Sequence, residues 1–202
     1  MQTVCLIPIK HLETVKSRLS SHFTNMSRRK MFMYMLGKTI CAVNKSSIKE
    51  CWLLSSDAEI ELFANKYDVQ VFSDCPSGLN PTLNRYVNKA FDLGYNAMYL
   101  APDLPLINAA SISQILKEFS SANQMILVPD LDKIGINAII WKNNHLLGPF
   151  LGINSYQVHL RQAKIHNMSV VSFEHKRLQC DLDTVEQFNN LPDSVRSKLL
   201  SL

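Results

Sequence analysis

Short β-rich runs alternate with amphipathic helical stretches through almost the whole chain, and this rhythm restricts the fold more than any other feature. Strands are predicted at Val4–Ile9, Cys51–Ser56, Val69–Ser73, Ala97–Ala101, Met125–Pro129, Ala138–Trp141 and Ser169–Phe173. Helices are predicted between and after them, at Asn25–Val43, Asp57–Lys66, Pro81–Leu93, Ala109–Phe119, Ser155–His166 and Val185–Leu202. The first helix is typical, with Phe32, Met35, Leu36, Thr39 and Val43 recurring at three- and four-residue spacing, the period of one buried helical face. Met31, Met33 and Met35 crowd the same stretch and read as a methionine-rich core face. Asn80 is the expected cap before Pro81, Thr184 and Gln187 have capping-box spacing, and Pro192 should break the last helix.

Strands that take turns with helices bury both faces of a largely parallel sheet. The expected class is therefore α/β, as one domain over residues 1–202. No repeat, low-complexity tract or linker interrupts the pattern. The chain's 202 residues, 47% apolar and 19% charged, suffice for a core without disulfides. Its five cysteines are odd in number and lack metal or redox spacing, so a reducing compartment is expected. The N-terminal MQTVCLIPIK carries neither a charged lead-in nor a cleavage site, and no apolar run approaches the ~20 residues of a membrane span. A cytoplasmic protein with no membrane association is the expectation. The net charge of +4 suits small polyanions such as nucleotides, or carries no meaning when spread so thinly. No basic run interleaved with aromatics supports nucleic-acid binding.

Ligands of open α/β sheets bind beyond the carboxyl ends of the strands, and four segments place polar residues there. After the first strand, IPIKHLETVKSRL brings Lys10, Lys16 and Arg18. They suit a triphosphate, arginine as a planar fork and lysine as a point charge, or form a solvated loop. The segment has no glycine, so no Walker or dinucleotide loop is present. Asp103 follows the strand AMYLA between Pro102 and Pro105; it presents a hard oxygen of the kind magnesium shares with phosphates, or simply starts a turn. Asp181 and Asp183 flank Leu182 and share one side of an extended segment. Two such carboxylates call for a cation, unless Asp183 only opens the final helix. The fourth segment joins Gly135, Ile136 and Asn137 to Gly152, Asn154 and Ser155, where glycine permits close approach of a ligand and a helix start can hold a carboxylate. A plain capped helix is the alternative. His159 sits inside a helix and reads as structural.

Taken in order, IPIK with VKSRLS, GLNPTLNRY, APDLPLI, VPD with GINAI, FLGINSYQVHLRQA and DLDTVEQF resemble the CofC guanylyltransferases of coenzyme F-420 biosynthesis, small relatives of the MobA-like molybdenum-cofactor nucleotidyltransferases. The resemblance spans residues 7 to about 188. It implies a three-layer α/β/α sandwich of the nucleotide-diphospho-sugar transferase type, with a mostly parallel mixed sheet. It further implies GTP as donor, Mg2+ as cofactor, and 2-phospho-L-lactate, phosphoenolpyruvate or 3-phosphoglycerate as acceptor. By the same resemblance Asp103, Asp181 and Asp183 carry metal, Lys16 and Arg18 grip the triphosphate, and Gly78, Leu79 and Asn80 form a nucleotide-side loop. Gly135, Ile136, Asn137, Gly152 and Ser155 then face the acceptor. Ile136 departs from the family pattern, which has threonine there. The rivals are transfer to molybdopterin or a sugar phosphate, whose enzymes usually carry a glycine-rich first loop, and a non-catalytic nucleotide-binding domain. A homodimer is compatible with this reading, though nothing in the sequence sets the oligomeric state.

Overall fold

The computed structural model describes residues 1–9, 12–121, 125–144 and 147–202. Lys10, expected beside the first strand, lies outside them, as do His11 and His145. Seven strands form one sheet: β1 Thr3–Pro8, β2 Glu50–Leu54, β3 Gln70–Phe72, β4 Asn96–Leu100, β5 Met125–Pro129, β6 Ile136–Trp141 and β7 Val170–Ser172. Their order is β3-β2-β1-β4-β6-β5-β7. Every pairing is parallel except those of β6, which runs antiparallel to both β4 and β5. The mostly parallel mixed sheet of the expected sandwich is what forms.

The helices are α1 Asn25–Asn44, α2 Ala58–Ala64, α3 Leu79–Asp92, α4 Ala109–Ser121, α5 Ser155–Ile165, α6 Lys176–Gln179, α7 Val185–Asn189 and α8 Asp193–Leu200. Helix α1 packs beside α4, and α3 lies across β1 and β4. The expected break at Pro192 separates α7 from α8, with the proline as N-cap; the Thr184–Gln187 capping box is complete. Two expectations need correction. Helix α3 begins at Leu79 with Gly78 as its N-cap, which frees the Asn80 side chain for another task. Short α6 has no apolar period long enough to register in sequence.

The core has two parts. The larger surrounds the sheet, where β4, β5 and β6 are buried along their full length. The smaller gathers Leu19, Met31, Met35, Leu106, Cys180, Leu182, Phe188, Leu191 and Leu199. Met31 and Met35 are 2% and 0% exposed, so the methionine face is core. All five cysteines are free, with Cys5, Cys51 and Cys180 buried. No described helix is long and apolar enough to cross a membrane.

Candidate active site

A cleft of about 920 Å³ opens at the carboxyl edge of the parallel strands. Lys16, Arg18, Leu79, Asn80, Asp103, Gly135, Ile136, Asn137, Gly152, Ser155, Asp181 and Asp183 all line it. Of the described residues expected at the site, Gly78 alone is absent from its lining. Its φ of +108° is a conformation that L side chains rarely adopt, so glycine there serves the turn into α3.

The antiparallel course of β6 explains how Gly135–Asn137 arrives. Leu100 at the end of β4 pairs with Ala138, so the start of β6 reaches the edge where the parallel strands end. Asp130, just past β5, fixes this hairpin by accepting from the amides of Ile134 at 2.8 Å and Gly135 at 2.6 Å. A Cβ at Gly135 would come within 2.7 Å of that carboxylate. A side chain there would push the carboxylate aside, so glycine suits the Asp130 clasp as well as close approach of a ligand. Asn137 also has structural work, its amide donating to the Gln179 carbonyl at 2.9 Å in a buried setting.

Asp103 is held from both sides. The Leu182 amide donates to its carbonyl at 3.3 Å, and Thr39 donates to the Pro102 carbonyl at 3.4 Å. Leu182 is fully buried in the smaller core, and this anchor turns Asp181 and Asp183 the other way, into the cleft. Thr184, not Asp183, caps α7, which leaves the Asp183 carboxylate for the site.

Lys16 is the centre of charge. Its ammonium bonds the carboxylates of Asp103 and Asp183, the latter at 2.7 Å, while Arg18 stands 3.9 Å from Asp183. The Lys16 side chain is 3% exposed. Burial by itself would lower its pKa, but the two aspartates outweigh that and raise it. Its backbone has φ 54° and ψ 38°, a left-handed conformation costly for lysine and frequent where function demands it. Leu19, fully buried in the smaller core, anchors the 3-10 turn Ser17–Leu19 that follows.

One ammonium does not balance three carboxylates. Burial first, then Asp103 and Asp183, push Asp181 up to about 7. Tyr99 lies on the cleft floor among the same three acids, and burial followed by their charge drives its phenol well upward. Tyr99 was missed from sequence, although alternation back from Asp103 through Ala101 puts it on the same face of the strand.

The turn before α5 is equally built. Asn80 clasps the backbone of Leu151, donating to its carbonyl and accepting from its amide, both at 2.9 Å. Gly152 has φ +141° with open space where a Cβ would sit. Asn154, expected in the same segment, precedes α5 at φ 54° with no side-chain cap bond and lines the cleft. His159 ties the turn down. The Phe150 amide donates to its Nε2 at 3.2 Å, so Nδ1 carries the proton and donates to the Ser155 carbonyl at 2.7 Å. Its structural reading stands.

Burial lowers the His159 pKa, opposed in part by the bond to Ser155. Below its ordinary value of 6.5 the unfolded chain takes up a proton that the native ring resists, so stability falls as pH falls through and below that value. His159→Phe is expected to lose about 1–3 kcal/mol at pH 7.5 by orphaning the Phe150 amide. It should also flatten the acid slope, as read from denaturant midpoints at pH 7.5 and 5.5. An unchanged slope would show that His159 does not govern it.

A mixed sheet with aspartates, a buried lysine and a helix-opening turn around one strand-end cleft defines an α/β sandwich protein whose ligand site lies at the strand ends. The same fold occurs in a protein of Desulfovibrio desulfuricans G20 described as a nucleotide-diphospho-sugar transferase, with TM-score 0.77 and 17% identity over 100% of this chain and 95% of that one. Residues 3–192 match the family described as guanylyl transferase, CofC like, and the chain belongs to that family. Among its relatives, the phosphoenolpyruvate guanylyltransferase of Thermobaculum terrenum is 26% identical over 91% of this chain and 80% of its own. The 2-phospho-L-lactate guanylyltransferase of Methanosphaera stadtmanae is 25% identical over 93% and 82%. The chain is thus a guanylyltransferase, and the non-catalytic alternative falls away.

Proposed function

We propose that this enzyme transfers GMP from GTP to the phosphate of a small phosphorylated carboxylic acid in coenzyme F-420 biosynthesis. The acceptor is 2-phospho-L-lactate, phosphoenolpyruvate or 3-phosphoglycerate. The observation that carries the reading is the single cleft in which the Lys16–Asp103–Asp183 cluster and the Gly152–Ser155 turn meet. An oxygen of the acceptor's phosphate attacks the α-phosphorus of GTP, the bond from that phosphorus to the bridging oxygen breaks, and pyrophosphate leaves. Such a displacement depends on positioning and charge neutralisation more than on a protein base.

The donor set suits magnesium. Asp103, Asp181 and Asp183 supply hard oxygens, and burial together with its two acidic neighbours pushes Asp181 up to about 7, a strain that a bound cation would relieve. Among the described residues no three metal-ligating side chains already converge on one point, but magnesium needs only one or two carboxylates when phosphates complete its shell. Bound there, it would neutralise charge on the attacking and leaving oxygens. Lys16 holds Asp103 and Asp183 in place, Arg18 grips the triphosphate, and the backbone around Gly152 and Ser155 receives the acceptor's carboxylate.

A pyrophosphate-release screen crossing four NTPs with the three acids and a sugar phosphate tests the reading. GTP with one or more of the acids should turn over; release with the sugar phosphate alone would overturn it. Ile136 lines the acceptor side and is 5% exposed, yet it offers no hydroxyl. An apolar contact discriminates by only about 1–3 kcal/mol, less than a hydrogen bond made to the substrate. The expected result is a loose preference among the acids, with Ile136→Thr shifting the ratio of their kcat/KM values and leaving the KM for GTP unchanged. Identical ratios in the two proteins would remove residue 136 from the acceptor site.

A further inference from the structure

Three tyrosines are almost equally buried: Tyr86 is 5% exposed, Tyr156 6% and Tyr99 7%. Two of them bond their hydroxyls inside the protein, Tyr86 to the Ser73 carbonyl at 2.7 Å and Tyr156 to the Ser172 hydroxyl at 2.9 Å. That is the usual fate of a buried phenol. The Tyr99 hydroxyl has no hydrogen-bond partner among the described residues. Its neighbours across the sheet offer none. Leu6 on β1 and Ile139 on β6 stand opposite Tyr99, and both are fully buried and apolar. Phenylalanine would pack there as well, so packing does not account for the hydroxyl.

The surroundings of the hydroxyl supply a reason. Arg28 Nε is the only wholly buried side-chain nitrogen or oxygen left without a partner among the described residues. The Tyr99 hydroxyl, equally unpartnered, is therefore open to the cleft that its side chain lines. Alternation puts it on the same side of the chain as Ala101 and Asp103, and the charges of Asp103, Asp181 and Asp183 all act on it. Burial and those charges keep the phenol protonated. It is thus a neutral group with a free acceptor oxygen, standing beside the acids that suit magnesium.

Magnesium gives up water reluctantly and keeps several waters when one or two carboxylates bind it. The oxygen of such a water faces the ion, so its hydrogens point outward and need acceptors. We infer that Tyr99 is a positioning residue for the hydrated cation, its hydroxyl oxygen accepting a hydrogen bond from a water on the ion. The inference rests on the nucleotidyl-transfer reading of the cleft. Contacts of this kind orient a metal and tune its affinity without touching it.

The test uses the full chain with Tyr99→Phe, which removes one oxygen that bonds nothing in the free protein. Its thermal midpoint without metal should therefore not fall. Magnesium and calcium affinities are measured by calorimetry on wild type and variant. Magnesium should bind about 10-fold more weakly to the variant, the scale of other lost contacts around a metal's ligands. Calcium takes more ligands directly and depends less on its waters, so its affinity should drop by less than about threefold. In turnover, the magnesium concentration for half-maximal rate should rise, with the KM for GTP at saturating magnesium unchanged. Wild-type magnesium affinity in Tyr99→Phe overturns the inference, as does a wild type that binds no magnesium. Equal losses for the two ions overturn it too, because the hydroxyl would then touch the ion itself. A midpoint that falls, or a variant that does not fold, would give the hydroxyl a structural bond and overturn it as well. Magnesium binding that depends on Tyr99, without turnover of any of the three acids, would support the inference and reject only the acceptor reading.

Discussion

Asp103→Asn and Asp183→Asn are each expected to lower turnover by about a hundredfold or more at saturating magnesium, the scale of other lost electrostatic contacts to a transition state. Both carboxylates meet the Lys16 ammonium and line the cleft. Asparagine keeps the shape but removes the charge that a divalent cation needs. The loss should fall on kcat, with GTP affinity less affected, and steady-state kinetics across a magnesium titration will show it. Near-normal rates in both variants would remove the carboxylates from the chemistry. Folding must be checked alongside, since each change strips one of two partners from a buried lysine.

Lys16→Met should have the largest effect on stability. It leaves three carboxylates facing one another with their buried counter-charge gone, and breaking a buried pair in this way costs about 3–5 kcal/mol. The pH dependence has a definite sign. Asp181 already stands near 7, above its ordinary 3.8, so the native state holds a proton that the unfolded chain releases. Stability is therefore lost as pH rises from about 4 to about 7, and this slope should steepen in Lys16→Met as the neighbouring acids join in. The variant should recover much of its thermal midpoint at pH 5, or on addition of magnesium at pH 8. A midpoint close to wild type at pH 8 without metal would show that the acids are not the source of the strain.

The Asp-Leu-Asp segment shows how far the sequence reaches. Alternation alone predicted that Asp181 and Asp183 share a side, and the structure adds the cause, Leu182 buried in the smaller core. The lysine–arginine loop and Asp103 were legible because each follows an apolar strand, where open α/β sheets bind ligands. The charge balance among them was not legible. The sequence reading treated the three aspartates as unfilled, whereas Lys16 is drawn between two of them across 87 and 167 residues of chain.

Patterns of local period and strand-end chemistry therefore determined the seven strands, the class of sheet and the segments of the site, since each depends on residues a few positions apart. Long-range pairing decided the rest. The reversal of β6 sets Asn137 against Ala101 and carries Ile136 to the cleft edge. The Asn80 clasp joins the start of α3 to the turn before α5. The Asp130 carboxylate gathers the amides of Ile134 and Gly135 at the head of β6. These depend on which backbone groups find partners once the sheet closes, and no local pattern records that choice.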